Sequence, residues 1–345
     1  MRRQPMSLAH DVGASSETSV VVGGQEMALA ERRAERLLRM IPYLVLAVLV
    51  GIVGILRPLS LTPSELTLTL SEALALVFLT MGETVVLFTG GIDLSLGGIL
   101  SVTSAAMARY TGTTNGLWIG LAVLIGCSWL PGLINGLLIV YTRMQPFIVT
   151  LAMWFILGGI AFYILPQAGG VVDPALGVLA SGQILGVSIA VVVLVVLCLL
   201  GYGFKRTRIG LEILAVGSDR QGAFQSGIAT RRALVSAYVI SGVASVLAGV
   251  FLSAGSLSGD PTVGNSYILP AVAGAVIGGT TLSGGSGSLV ASIAGALALT
   301  YVTSVALVIG LPSEVGLIAE GVLLVLSIVL QVRFRVRSHA MGGVA

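Results

Sequence analysis

The sequence predicts an all-α, polytopic membrane protein with about ten transmembrane helices, some short or discontinuous, and both termini cytoplasmic. Three observations carry that expectation. Of 345 residues, 56% are hydrophobic and 10% charged, with a mean hydropathy of +1.03, whereas soluble domains are about a quarter charged. Apolar runs long enough to cross a bilayer recur along the chain. The 46 glycines suit helices packed in lipid, where small residues let backbones approach closely.

The net charge of +3 comes from arginines at the edges of apolar runs. It implies contact with membrane lipid and gives no reason to expect nucleic-acid binding. Cys127 and Cys198 lie inside apolar runs without His or Cys at metal-ligand spacing, so they read as small hydrophobes rather than as a disulfide or a metal site.

In chain order, residues 1–24 are rich in Ser, Gly and Val and lack the apolar core of a cleavable signal; a disordered cytoplasmic tail is expected. Residues 26–40 carry Arg32, Arg33, Arg36 and Arg39 beside Met27, Leu29, Leu37 and Leu38, the pattern of an interfacial amphipathic helix or of a solvated one. A membrane domain is expected over 41–332, followed by a cytoplasmic tail over 333–345. Spanning helices are placed at 41–56, 66–89, 94–108, 116–141, 146–165, 185–204, 233–253, 267–277, 288–309 and 315–332. Those at 94–108 and 267–277 are too short for a core of about 30 Å, and each abuts a glycine cluster, so they read as discontinuous or tilted helices.

Residues 205–232 form the one long polar interruption. They hold Lys205, Arg206, Arg208, Arg220, Arg231 and Arg232 against Glu212 and Asp219, an excess that puts the segment on the cytoplasmic side. Alternation from an inside start returns the chain there at Arg143, at this connector and at Arg333, Arg335 and Arg337, leaving Arg57 and Arg109 outside. The connector reads either as a docking surface of short helices or as a solvated loop.

Two glycine clusters echo one another. Gly90-Gly91-Ile92-Asp93-Leu94-Ser95 and Gly278-Gly279-Thr280-Thr281-Leu282-Ser283 both read Gly-Gly, two residues, Leu-Ser. Paired glycines permit tight turns with positive φ. Asp93 or Ser95 is placed to cap the next helix, and Asp93 also reads as an intramembrane carboxylate facing a pathway or a partner group.

At these residues the sequence resembles the permease subunits of ribose-type ABC sugar importers, within the superfamily that also holds branched-chain amino-acid permeases. Gly90-Gly91-Ile92-Asp93-Leu94-Ser95 is similar to that family's signature, followed by Gly132, Asn135 and Gly136 and then Pro146-Phe147-Ile148-Val149-Thr150-Leu151. Residues 276–288 are similar to its second signature, and the likeness runs over about 44–331.

The resemblance implies that the connector docks on a separate ATP-binding ABC subunit, which would hold ATP and Mg; no cofactor is expected in this chain. It implies further partners: a periplasmic or lipid-anchored sugar-binding protein and a second permease subunit, making a homodimer in the bacterial plasma (inner) membrane. Candidate coupling residues are Gly210, Glu212, Gly217, Ser218, Asp219, Arg220, Ala223, Ser226 and Gly227. The sequence departs from the family pattern at Gly210-Leu211-Glu212, Gly217-Ser218-Asp219 and Gln221-Gly222-Ala223; charge at such a contact sets which partner binds.

Candidate pathway residues are Glu83, Gly90, Gly91, Asp93, Ser95, Asn135, Phe147, Thr150, Gly278 and Gly279. Small residues recur every fourth position at Gly97, Ser101 and Ala105, at Ser241, Ser245, Gly249 and Ser253, and at Ser288, Ser292 and Ala296. Such stripes read as helix contacts or as hydroxyls offered to a sugar. Glu72 and Glu83 fall roughly on one face of the second helix. The expected function is import of a monosaccharide or related polyol, without bond chemistry. Alternatives are a non-sugar ABC solute such as an amino acid or nucleoside, or an ion-coupled secondary transporter using Asp93, Glu83 and Glu72. A membrane enzyme is disfavoured, because no His pair, Gly-x-Ser-x-Gly nucleophile or metal-ligand cluster lies in the apolar runs.

Overall fold

The computed structural model describes residues 40–112 and 114–342. The expected tail and most of the expected interfacial helix, 1–39, lie outside them. Apolar runs broken by Pro and Gly become helices at each of the ten expected stretches, α1 Met40–Leu56, α2 Pro63–Leu87, α3 Ser95–Tyr110, α4 Thr114–Thr142, α5 Pro146–Ile164, α7 Ile189–Phe204, α10 Thr230–Ser256, α11 Ile268–Ile277, α12 Leu289–Val308 and α13 Ser313–Gly342, and three short helices lie between them: a single turn α6 Val178–Ser181, α8 Arg208–Ser218 and α9 Arg220–Gln225. A two-stranded hairpin, β1 Gln183–Ile184 with β2 Val187–Ser188, precedes α7.

By length and composition α2, α4, α5, α10 and α12 are each able to cross a membrane, and α7 with α8 makes a sixth if that pair, bent by 63°, counts as one span. The protein is all-α and polytopic on that basis. Two boundaries differ from expectation. The α7 helix starts at Ile189 because the hairpin takes up the preceding residues, and Ser188 caps it by accepting the Ala190 N–H at 3.2 Å. The α13 helix runs to Gly342, beyond the expected end at 332, because no Gly or Pro interrupts residues 322–341.

Within the body from Pro42 to Arg333, α10 is central, packing on α2, α3, α4 and α8, while α2 also packs on α7, α11 and α12. Every residue of α3 from Ser95 to Ala108 is buried. The outer helices α4 and α5 present Trp118, Trp129, Phe155 and Tyr163 at the surface, which is where apolar side chains belong when the solvent is lipid. At 16 and 10 residues, α3 and α11 rise about 24 and 15 Å, both shorter than the bilayer core.

The small-residue stripes are contact faces. Gly249 meets Thr103, Gly82 meets Ser241, and Gly97 meets Ile268 and the Gly264 carbonyl. Their hydroxyls are largely spent on backbone: Ser245 donates to Ser241 O at 2.8 Å, and Ser101 accepts the Gly264 N–H at 3.0 Å. Where α4 crosses α10, a Cβ on Gly132 would overlap the Tyr238 carbonyl. Gly132→Ala is therefore expected to destabilise the purified protein by about 1–3 kcal/mol in thermal unfolding. Gly126→Ala on the same helix, with nothing within 4 Å of the added methyl, is expected to leave the melting temperature unchanged or slightly raised.

Candidate translocation and coupling site

The chain leaves α2, turns at Gly90 with φ +78°, and re-enters as α3. A positive φ of that kind is cheap only for glycine. The turn folds Asp93 back against Glu83, one helical turn inside α2. The Asp93 N–H points at the Glu83 carboxylate, 3.2 Å from Oε2 and 3.4 Å from Oε1. Asp93 Oδ1 accepts the Ser95 N–H at 3.0 Å and the Ser95 hydroxyl at 2.5 Å. It thus holds the first N–H of α3, whose N-cap position is Leu94, and does so as a fully buried carboxylate.

Asn135 of α4 donates from Nδ2 to Ser95 Oγ at 2.9 Å, and Thr150 of α5 donates to the Ile92 carbonyl at 3.2 Å. Glu83, Asp93, Ser95, Asn135 and Thr150 are all 0% exposed. Tyr238 and Ser241 of α10 complete the wall: the Tyr238 hydroxyl lies against Gly91, and Ser241 approaches Asp93 without closing a hydrogen bond. Among the described residues Asp93 Oδ2, Asn135 Oδ1 and the Tyr238 hydroxyl have no hydrogen-bond partner.

Two buried carboxyl groups therefore share one site with no cationic side chain paired to either among the described residues. Buried polar atoms without partners are costly, and this cluster concentrates several of them in one place.

Other expected pathway residues lie apart. Phe147 is 49% exposed at the start of α5, outside the cluster. Gly278 packs on the Ser292 backbone where α11 meets α12, and Gly279 turns there at φ +82°. Glu72 is exposed near the other end of α2, so its shared face with Glu83 does not give the two a shared environment. Glu320 accepts from Thr303 at 3.0 Å.

The connector folds as two short helices. Thr207 caps α8 by accepting the Gly210 N–H at 3.1 Å, and Asp219 caps α9 by accepting the Gln221 N–H at 2.9 Å. Gly210 is buried against Phe204, and Ile213, Val216 and Ala223 face inward, joining Val85, Phe88, Leu234 and Tyr238 in one apolar cluster. Glu212 pairs with Arg208 at 2.8 Å within α8. Ser218, Asp219, Arg220, Ser226 and Gly227 are exposed, as are Leu211 and Phe224, the latter by 70%.

Gly217 departs from a surface role. A Cβ there would overlap the Phe88 carbonyl, which already accepts the Gly285 N–H at 2.9 Å. Ser218 Oγ donates to Gly285 O at 3.3 Å, and Gly284 lies against both Gly90 and the Gly217 carbonyl. Lys205 donates to the Gly287 carbonyl, its ammonium 5.7 Å above the Phe88 ring. Connector and both glycine clusters thus meet backbone to backbone. Sequence reasoning missed Phe88, Lys205 and Tyr238 here. A lone tyrosine three residues ahead of Ser241 in a small-residue stripe was the available signal for Tyr238.

Replacing Ser95 with Ala strands Asn135 Nδ2 and removes a donor from Asp93. The expected loss is about 1–3 kcal/mol in thermal unfolding, with Ser95→Thr, which keeps the hydroxyl, closer to the parent.

Residues 65–328 match the family model described as branched-chain amino acid transport system / permease component. The ribose import permease protein of Bacillus subtilis (strain 168) is 34% identical over 84% of this chain and 91% of its own length. That of Escherichia coli (strain K12) is 31% identical over 82% and 90%. The galactofuranose transporter permease protein of Escherichia coli (strain K12) is 32% identical over 76% and 78%. No solved structure matches the chain.

Proposed function

This chain belongs to the branched-chain amino acid transport system / permease component family, among its ribose-type sugar permeases, and we propose that it forms half of the membrane channel of an ABC importer for a monosaccharide or related polyol. It is a multi-pass protein of the bacterial inner membrane and a transporter subunit, not an enzyme. In this reading all ten helical stretches lie in the membrane and both termini are cytoplasmic. ATP and Mg bind a separate ATPase subunit, a binding protein outside delivers the solute, and a second copy of the chain completes the channel.

The observation that carries the mechanism is the backbone seam at Gly217. ATP-driven closure of the ATPase subunits displaces α8 and α9. Because Gly217 presses on Phe88 and Gly285 by main chain alone, with the short Ser218 side chain bonded to Gly285 beside it, displacement passes into both glycine clusters instead of being absorbed by rotamer changes. The first cluster carries Asp93, so movement there opens or closes the hydrogen-bond set formed with Glu83, Ser95 and Asn135. Solute hydroxyls are matched to that set, since they can both donate to Asp93 Oδ2 and Asn135 Oδ1 and accept from Tyr238. Coupling requires different contacts in two states, and a seam of this kind has two only if its residues move together.

Exposed Phe224 and Leu211 are the apolar anchors offered to the ATPase. Phe224→Asp is expected to cost about 2 kcal/mol or more of that association, read as loss of the ATPase on co-purification, with the melting temperature of the chain itself unchanged. In proteoliposomes holding chain, ATPase and binding protein, uptake is expected to need ATP and to survive an ionophore. Uptake by the chain alone on an ion gradient would refute the reading. Gly217→Ala, and more so Gly217→Arg, is expected to abolish uptake while the chain still inserts.

A further inference from the structure

A cavity of about 610 Å³ lies between α9, the C-terminal end of α4 and the first turns of α10, with Gly90 and Gly91 also in its wall. It shares Gly91 with the polar cluster, Gly90 with the seam and Phe224 with the exposed face of the connector. Arg143, Arg220 and Arg231 border it, and no carboxylate does. Among the described residues none of the three pairs with an acid, since the ion pairs there join Arg57 to Glu65 and Arg208 to Glu212. Arg231 is braced over the Tyr141 ring at 5.6 Å. Arg143 holds a left-handed backbone, φ 57°, just past α4, a conformation that non-glycine residues adopt at a cost and that recurs at binding sites. The Gly91 N–H has no hydrogen-bond partner among the described residues.

Three exposed arginines border one open hollow whose lining holds no carboxylate, and their charge gives it a positive potential that an anion from outside the chain neutralises. Their planar forks match phosphate oxygens two at a time, which lysine does not do. The volume falls in the range of small-molecule sites, about 300–1,000 Å³, and exceeds what a bare inorganic anion fills. We propose that this cavity binds a phosphate ester. The three arginines come from separate elements, the connector for Arg220, the α4–α5 turn for Arg143 and α10 for Arg231, so a bound ester bridges connector and bundle. The inference rests on the import reading only in placing the cavity on the cytoplasmic side, where the phosphorylated form of an imported solute and the headgroups of anionic lipids both present this chemistry.

The test uses the full-length chain alone in phosphatidylcholine nanodiscs, titrated calorimetrically with a pentose 5-phosphate beside Arg143→Gln and Arg231→Gln. Saturable binding is expected, weakened about tenfold by each substitution, weakened further by salt, and absent with the unphosphorylated pentose. A second arm replaces phosphatidylcholine with phosphatidylglycerol. A higher melting temperature in the parent but not in the variants identifies the lipid headgroup as the source of the ester; no such rise, with calorimetric binding intact, identifies the soluble one. If neither arm responds, or if the variants respond as the parent does, the proposal falls. It falls equally if the parent binds no ester and, in a separate co-purification, the variants lose the ATPase subunit, which would give the cavity to an acidic protein surface. Because binding is read on the isolated chain, failure of ATP-driven uptake leaves this outcome separately readable.

Discussion

Gly217 has no space for a side chain because its α-carbon faces the Phe88 carbonyl, and that carbonyl is already held by the Gly285 N–H. Three segments far apart in sequence are joined there by main chain alone. Side chains at a contact can change rotamer and absorb a shift, whereas abutting backbones cannot, and packed interfaces of this kind switch between discrete arrangements. The surrounding features follow from that stiffness. The caps at Thr207 and Asp219 fix the two connector helices, the Ile213, Val216 and Ala223 face seats them, and Lys205 latches the far side through Gly287.

The polar cluster supplies the opposite quality. Glu83 and Asp93 are buried together without a cation, and the groups around them satisfy some of their oxygens but not all. An apolar core at this place would be more stable, since a half-satisfied polar network costs more than it returns. Its place among α2, α3, α4, α5 and α10 suits the proposed site, one that exchanges hydrogen bonds with a passing solute and binds it weakly.

How much of this was legible in the sequence depends on the range of the interaction. Helix positions followed from apolar runs and their Gly and Pro breaks, which are local. Failures at α7 and α13 came from a hairpin with no strong turn signal and from a basic tail that stays helical. Glu83, Asp93, Ser95 and Asn135 could each be named as polar groups in apolar surroundings, but nothing in the sequence pairs Asn135 with Ser95 across 40 positions. Gly217 could be placed in the connector but not assigned to its inner face, because a glycine gives the same signal at a docking surface and at a backbone crossing. Tyr238 was hidden by its neighbours, since an aromatic in a stripe of Ser, Gly and Ala looks like ordinary packing.

The complete burial of α3 bears on how the protein is made. From Ser95 to Ala108 this helix touches protein, with α5, α10 and the turn at Val263–Ser266 supplying its walls, and it is rich in Ser, Thr and Gly where a lipid-facing helix carries Leu and Phe. When α3 leaves the ribosome, α5 is only beginning to be synthesised and α10 is more than 100 residues away. A segment of such modest apolarity has little intrinsic drive to partition into lipid. It must therefore be kept beside α2 and α4 in the insertion machinery until later helices arrive, which makes the order of synthesis part of what the first glycine cluster encodes.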